Sequence, residues 1–184
     1  MAVSLENRKS GSMLSCPPHY RQRLMNAPLT TQIIEFLRSI GLAVVEKPIA
    51  GATVLPGIDV DRGTLVVDRT ALKYPGDLLH EAGHLAVVPS REREQMHANV
   101  GDDGGMEMAA IAWSYAAAVH LGLSPSVVFH PDGYRGEAAS LLDNFVQGRY
   151  FGVPLLVWRG LTDPPTPPAT SSGAYPLMKR WLTE

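Results

Sequence analysis

Along the first third of the chain, apolar residues fall at helical spacing once. Ile33, Ile34, Leu37 and Ile40 make one face, Thr30 or Thr31 is placed to cap its start and Gly41 its end, which predicts a helix over about residues 30–41. The period then shortens to two. Residues 43–46 form a short strand, and residues 54–67 read as a hairpin. In it Ile58 and Val60 alternate with Asp59 and Asp61, and Asp61-Arg62-Gly63 turns the chain into Leu65-Val66-Val67. One face of that hairpin is apolar and needs something to lie on. Two helical stretches follow. The first, about 75–88, opens on Pro75 and stops at Pro89. The second, about 104–121, is capped by Asp102 or Asp103 and closed by Gly122. Between them residues 90–100, with Arg91, Glu92, Arg93 and Glu94, read as a solvated loop or surface helical turn. A third helix is expected over 136–150 and a short terminal one over 175–182. The run Pro164-Pro165-Thr166-Pro167-Pro168 imposes an extended connector.

These elements predict an α+β domain, a small antiparallel or mixed sheet with the 75–88 helix packed across it and further helices completing the core. Three segments are expected: a loose polar arm at 1–28, the folded domain at 29–162, and a Pro-rich connector with a short helix at 163–184. A chain of 184 residues with 45% hydrophobic content can bury a real core, which excludes disorder throughout. Its formal net charge of -2 argues against nucleic acid as a partner held by bulk electrostatics. The single Cys16 excludes an intramolecular disulfide framework and a cysteine-only zinc site. No apolar run is long enough to expect a membrane helix. Residues 1–15, with Glu6, Arg8 and Lys9, lack the apolar stretch of an export signal, so a cytoplasmic location is expected. Oligomeric state leaves no trace in the pattern.

One constellation changes the picture. His80-Glu81-Ala82-Gly83-His84 lies inside the second predicted helix, where residues four apart share a face. Two imidazoles so placed can converge on one zinc ion, and Glu81 beside them can serve as general base. Leu78, Leu79, Ala82, Leu85 and Ala86 supply the apolar surface that would hold this helix against the sheet. A zinc site needs a third protein ligand. Ser90 excludes a histidine six residues beyond His84, and the nearby donors are Glu92, Glu94, His97, Asp102, Asp103, Glu107 and His120. Glu107 is the choice, since a charged residue near the start of an Ala-rich helix has no packing role. Its neighbours Ala110, Ser114 and Ala118 are small enough for a close helix crossing. The helix dipole alone would also favour an acid there. His120 lies thirteen residues on, about 220° around an ideal helix, and faces away.

The stretch Leu78-Leu79-His80-Glu81-Ala82-Gly83-His84-Leu85, the preceding hairpin and the downstream helix opening with Glu107 resemble the gluzincin metallopeptidases. Among these the compact ImmA/IrrE-type peptidases and the minigluzincins are closest in size. The likeness covers about residues 53–121. It implies a zincin-like fold with Zn2+ held by His80, His84 and Glu107. It also implies cleavage of a peptide or protein substrate by a metal-activated water, with Glu81 as base. Many gluzincins carry an Asp four residues after the glutamate ligand, and here Ile111 stands there. The transition-state-stabilising His or Tyr of the family is not placed by motif; His130 and Tyr134 are candidates, with His120 and Tyr115 behind them. An extended substrate would pair with a hairpin edge. The competing class is a catalytically silent metal-binding interaction or regulatory protein, because closed and open metal sites can share ligand spacing. Trp113, Tyr115, Trp158 and Trp181 read as core or edge packing.

Overall fold

The computed structural model describes residues 28–97, 103–165 and 174–184. Its first helix, α1 (Leu29–Ser39), turns Ile33, Ile34, Phe36 and Leu37 inward. It starts with no side-chain cap, so Thr30 and Thr31 sit inside its first turn rather than before it. Three strands follow: β1 (Val44–Glu46), β2 (Ile58–Asp61) and β3 (Thr64–Val67). Their order is β1-β3-β2, with β1 parallel and β2 antiparallel to β3. The sheet is therefore mixed. Ile58 faces Val67 and Val60 faces Leu65 in register, so the alternation seen in the sequence puts one apolar face on the core. The hairpin is tighter than expected, since residues 54–57 fall outside it. Arg62 and Gly63 both take positive φ, 47° and 71°, as a two-residue hairpin loop of matching twist demands.

The motif helix is α2 (Asp77–Val87), followed by the single turn α3 (Ser90–Arg93) and the long α4 (Gly104–His120). The side chain of Asp103 caps α4, accepting from the N–H groups of Gly105 and Met106 at 2.7 and 3.3 Å; Asp102 lies outside the described residues. The most extensive neighbour of α2 is α4 rather than the sheet. Gly83 lies at that crossing, where a Cβ would stand 2.7 Å from the carbonyl oxygen of Ala110. Leu78, Leu79, Ala82 and Leu85 join Ile58, Val60, Leu65 and Val67 in one buried cluster.

Several expectations are corrected. Residues 90–93 form the helical turn expected of this segment, but Arg93 is not merely solvated. Its guanidinium donates to the carbonyls of Leu85, Val88 and Thr183 at 2.7, 3.1 and 3.0 Å. Residues 98–100 lie outside the described residues. The third helix is shorter, α5 (Ala138–Val146), because a turn of positive φ ends at Gly136 and Gly148 (φ 75°) stops the other side. A further short helix, α6 (Val153–Trp158), was not anticipated. No helix forms over 175–182. There the N–H groups of Lys179 and Thr183 bond to the carbonyls of Leu161 and Ala86, at 2.8 and 2.9 Å, while Tyr175 and Trp181 enter the core. Trp113 and Trp181 are buried as expected, but Trp158 is exposed. The arm (residues 1–27), with Cys16, and residues 166–173 of the connector lie outside the described residues. Among those described, no helix is long and apolar enough to cross a membrane.

Candidate metal centre

Helical spacing delivers two rings to one point. The Nε2 atoms of His80 and His84 are 3.2 Å apart, one turn separating them on α2. From α4, Glu107 Oε1 lies 3.5 Å from His80 Nε2 and Oε2 lies 3.1 Å from His84 Nε2. Four ligands at zinc's usual 2.0–2.1 Å, set tetrahedrally, stand about 3.3 Å from one another. The Nε2–Nε2 separation is close to that edge length, and each imidazole has its own Glu107 oxygen at a comparable distance. One ligand atom from each of the three residues lies within 4.8 Å of the others. This cluster is the group of three His, Cys, Asp or Glu side chains gathered closely enough for a metal among the described residues.

Electrostatics agrees with the geometry. Burial, reinforced by the charge of His84, pushes His80 down to about 4 and keeps its ring neutral near pH 7. Glu107 is held below the usual carboxylate range, first by its hydrogen bond with His84, against an opposing effect of burial. Two imidazoles and a carboxylate are a donor set a divalent zinc ion takes. Burial pushes Glu81 up to about 7, with the negative charges of Glu107 and Asp77 adding to the rise and that of His84 opposing it.

These four side chains open into a cleft of about 920 Å³. Its other walls are the segment 49–60, including the edge strand β2, and the loop 130–135. In that loop Tyr134 Oη lies 3.4 Å from His80 Nδ1, with the two rings edge to face. His130 is buried, stacks on Tyr74 with centroids 3.8 Å apart, and pairs through Nε2 with Asp77 Oδ1 at 2.9 Å. Its Nδ1 is buried without a hydrogen-bond partner. Tyr134, Arg135 and Gly136 all take positive φ, 54°, 53° and 88°. For the two residues bearing Cβ this left-handed turn costs roughly 1–2 kcal/mol each.

No family model, curated protein or solved structure matches the chain. What the centre can do follows from its own geometry.

The other sequence candidates lie elsewhere. His120 packs among Phe36 and Trp181. Tyr115 sits in an aromatic cluster with Phe145, Phe129 and Tyr175. His97 meets Asp61 at the hairpin, and Glu92 and Glu94 are exposed. Ile111 is buried in the core. Five polar cleft residues were not singled out for the site from the sequence: Lys73, Tyr74, Asp77, Asp132 and Arg135. Asp77 had a usable signal, since it stands four residues before Glu81 on the same helix face. Tyr74 and Arg135 had none.

Proposed function

We propose that this protein is a zinc-dependent hydrolase, a metallopeptidase of compact gluzincin type. The supporting observation is the gathering of His80, His84 and Glu107, one ligand atom of each within 4.8 Å of the others, with Glu81 beside them on an open cleft. His80, His84 and Glu107 would hold the ion with three protein ligands, the number found in catalytic rather than structural zinc sites, which favours an enzyme over a silent metal-binding module. Zinc supplies Lewis acidity there, making water more acidic and a carbonyl more electrophilic.

The chain's own residues divide the remaining work. Glu81 takes the proton of the attacking water on its carboxylate and hands it to the leaving amine nitrogen. Its half-buried setting suits that exchange, because a carboxylate poised near neutrality both accepts and releases a proton readily. With the Nε2 lone pair of His80 given to the ion, its Nδ1 carries hydrogen and needs an acceptor; Tyr134 Oη is in place to be one. Burial holds that phenol in its protonated form, and Ser114 interacts with it. Tyr134 thus positions the ring of His80, a part that the buried, apolar Ile111 cannot play. Both ring nitrogens of His130 lie inside the fold, Nε2 against Asp77 Oδ1 and Nδ1 buried, so neither is presented to a substrate oxygen. The outer edge of β2 is already engaged, the Ile58 N–H by the Leu55 carbonyl, the Val60 N–H by the Asp59 side chain and Asp61 by a bridge to His97. The expected pairing of an extended substrate with that edge is therefore not adopted.

The test is hydrolysis of a broad peptide library by the zinc-saturated protein, with Glu81→Gln as control. Cleavage by the wild type that the variant loses, with zinc still bound, supports the reading; a zinc-replete wild type that cleaves nothing sinks it.

A further inference from the structure

The cleft presents two cations, and they are not equivalent. Lys73 is spent: its Nζ lies 3.0 Å from Asp132, which also accepts from the Tyr74 hydroxyl. Arg135 lines the same cleft, is exposed, and makes no side-chain ion pair among the described residues. The cleft's acids have nearer partners, Asp77 in His130, Asp132 in Lys73 and Glu107 in the two histidines. The charge of Arg135 also acts on Glu107, but from beyond ion-pair distance. Arg135 is therefore the cation left for something that arrives from outside. Its backbone points the same way. Arg135 is the middle residue of the left-handed turn, a conformation glycine would adopt without strain. Strain kept at a cleft wall where a glycine would relieve it signals that the side chain itself is needed. A guanidinium offers a planar fork of donors that matches a carboxylate two-to-two. The segment 49–56, with Ile49, Val54, Leu55 and Pro56, gives the cleft an apolar wall as well.

We propose that Arg135 is a specificity-determining residue that anchors a carboxylate of the substrate, so that the cleft selects peptides carrying a free carboxylate beside an apolar residue. The proposal rests on the hydrolase reading and narrows its substrate class. The carboxylate has two sources, the peptide's own C-terminus or an Asp or Glu side chain.

Binding separates them without turnover. Zinc-saturated full-length protein carrying Glu81→Gln is titrated calorimetrically with three forms of one acetylated Ala-Ala-Phe-Leu peptide. These are the free acid, the C-terminal amide, and the amide with glutamate replacing leucine. The free acid or the glutamate amide is expected to bind at least about tenfold more tightly than the neutral amide, the stronger of the two naming the source. Adding Arg135→Gln erases the preference. Arg135→Gly erases it too while leaving the Tm unchanged or higher, an outcome that a merely structural arginine would not give. Equal binding of all three peptides, no binding of any, or a preference that survives Arg135→Gln overturns the proposal. The two readings fail separately. Cleavage of a library by the wild type without carboxylate preference removes the anchor alone. A preference shown by a protein that cleaves nothing removes the hydrolase alone.

Discussion

The crossing of α2 over α4 and the turn at residues 133–136 bring side chains to the same cleft by opposite means. At the crossing, regular helices do the work. His80 and His84 share a face because of helical pitch, and Gly83 lets α4 come close enough for Glu107 to reach both rings. Backbone there is unstrained and the surrounding side chains are buried. The turn is irregular and strained, with Tyr134 and Arg135 held at φ near +54° on a half-exposed wall. The difference teaches a division of labour. Groups that must converge on one point sit on a rigid packed pair, while groups that orient a ligand or meet a substrate come from a turn that the fold holds in an unfavourable shape.

Substitutions in the two regions should therefore behave differently. The largest effect is expected at the crossing, where Glu81→Gln lowers kcat about 10²–10⁴-fold while zinc stoichiometry stays that of the wild type. Steady-state kinetics beside metal analysis checks both halves. Gly83→Val comes next. Its side chain meets the Ala110 carbonyl, so a loss of about 1–3 kcal/mol in stability is expected, read as a lower Tm, with weakened zinc binding as Glu107 is displaced. In the strained turn, Tyr134→Phe leaves the Tm close to wild type but weakens zinc roughly tenfold, measured by competition with a chelator. If Tyr134→Phe unfolds the protein, or binds zinc as tightly as the wild type, the division of labour is wrong.

The smallest effect concerns the other cleft wall. Asp68 accepts from the Thr70 hydroxyl at 2.7 Å and from the N–H groups of Thr70 and Ile49 at 2.9 and 3.1 Å, which tie segment 49–56 to the end of β3. These bonds, the Thr70 hydroxyl's first, hold its carboxyl below the usual aspartate range. A depressed folded-state pKa stabilises the fold above the ordinary aspartate value near 3.9, and the gain disappears as pH falls through the lower folded value. Asp68→Asn is therefore expected to be less stable than the wild type at neutral pH and to converge with it in acid. Thermal melts across that range would show parallel curves if Asp68 plays no such part.

How much of this was legible in the sequence follows the same divide. Periodicity found α1, α2, α4 and the β2–β3 pair, because each owes its place to local spacing. Of the three side chains brought together at the candidate metal centre, His80 and His84 were named from helical spacing, and Glu107 because a charge at the start of an Ala-rich helix has no packing role. Asp77 obeyed the same arithmetic and was still overlooked. The turn was opaque, because Tyr and Arg disfavour positive φ and nothing local announces it. Six-residue α6 is too short for a period to show. The terminal stretch failed for a different reason. Its residues look helical, but the backbone N–H groups of Tyr175, Lys179 and Thr183 bond to the carbonyls of Asp163, Leu161 and Ala86, distant in sequence. Arg93 looked solvated for the same reason, since its acceptors include the carbonyl of Thr183, ninety positions on.

Zinc content tests the central assignment most directly. Native mass spectrometry of wild type and Glu107→Ala, each dialysed against micromolar zinc, is expected to show one ion retained by the wild type and lost by the variant, with equal helical content in both. A wild type that emerges metal-free, or a variant that holds zinc as firmly, contradicts the assignment of His80, His84 and Glu107 as one binding centre.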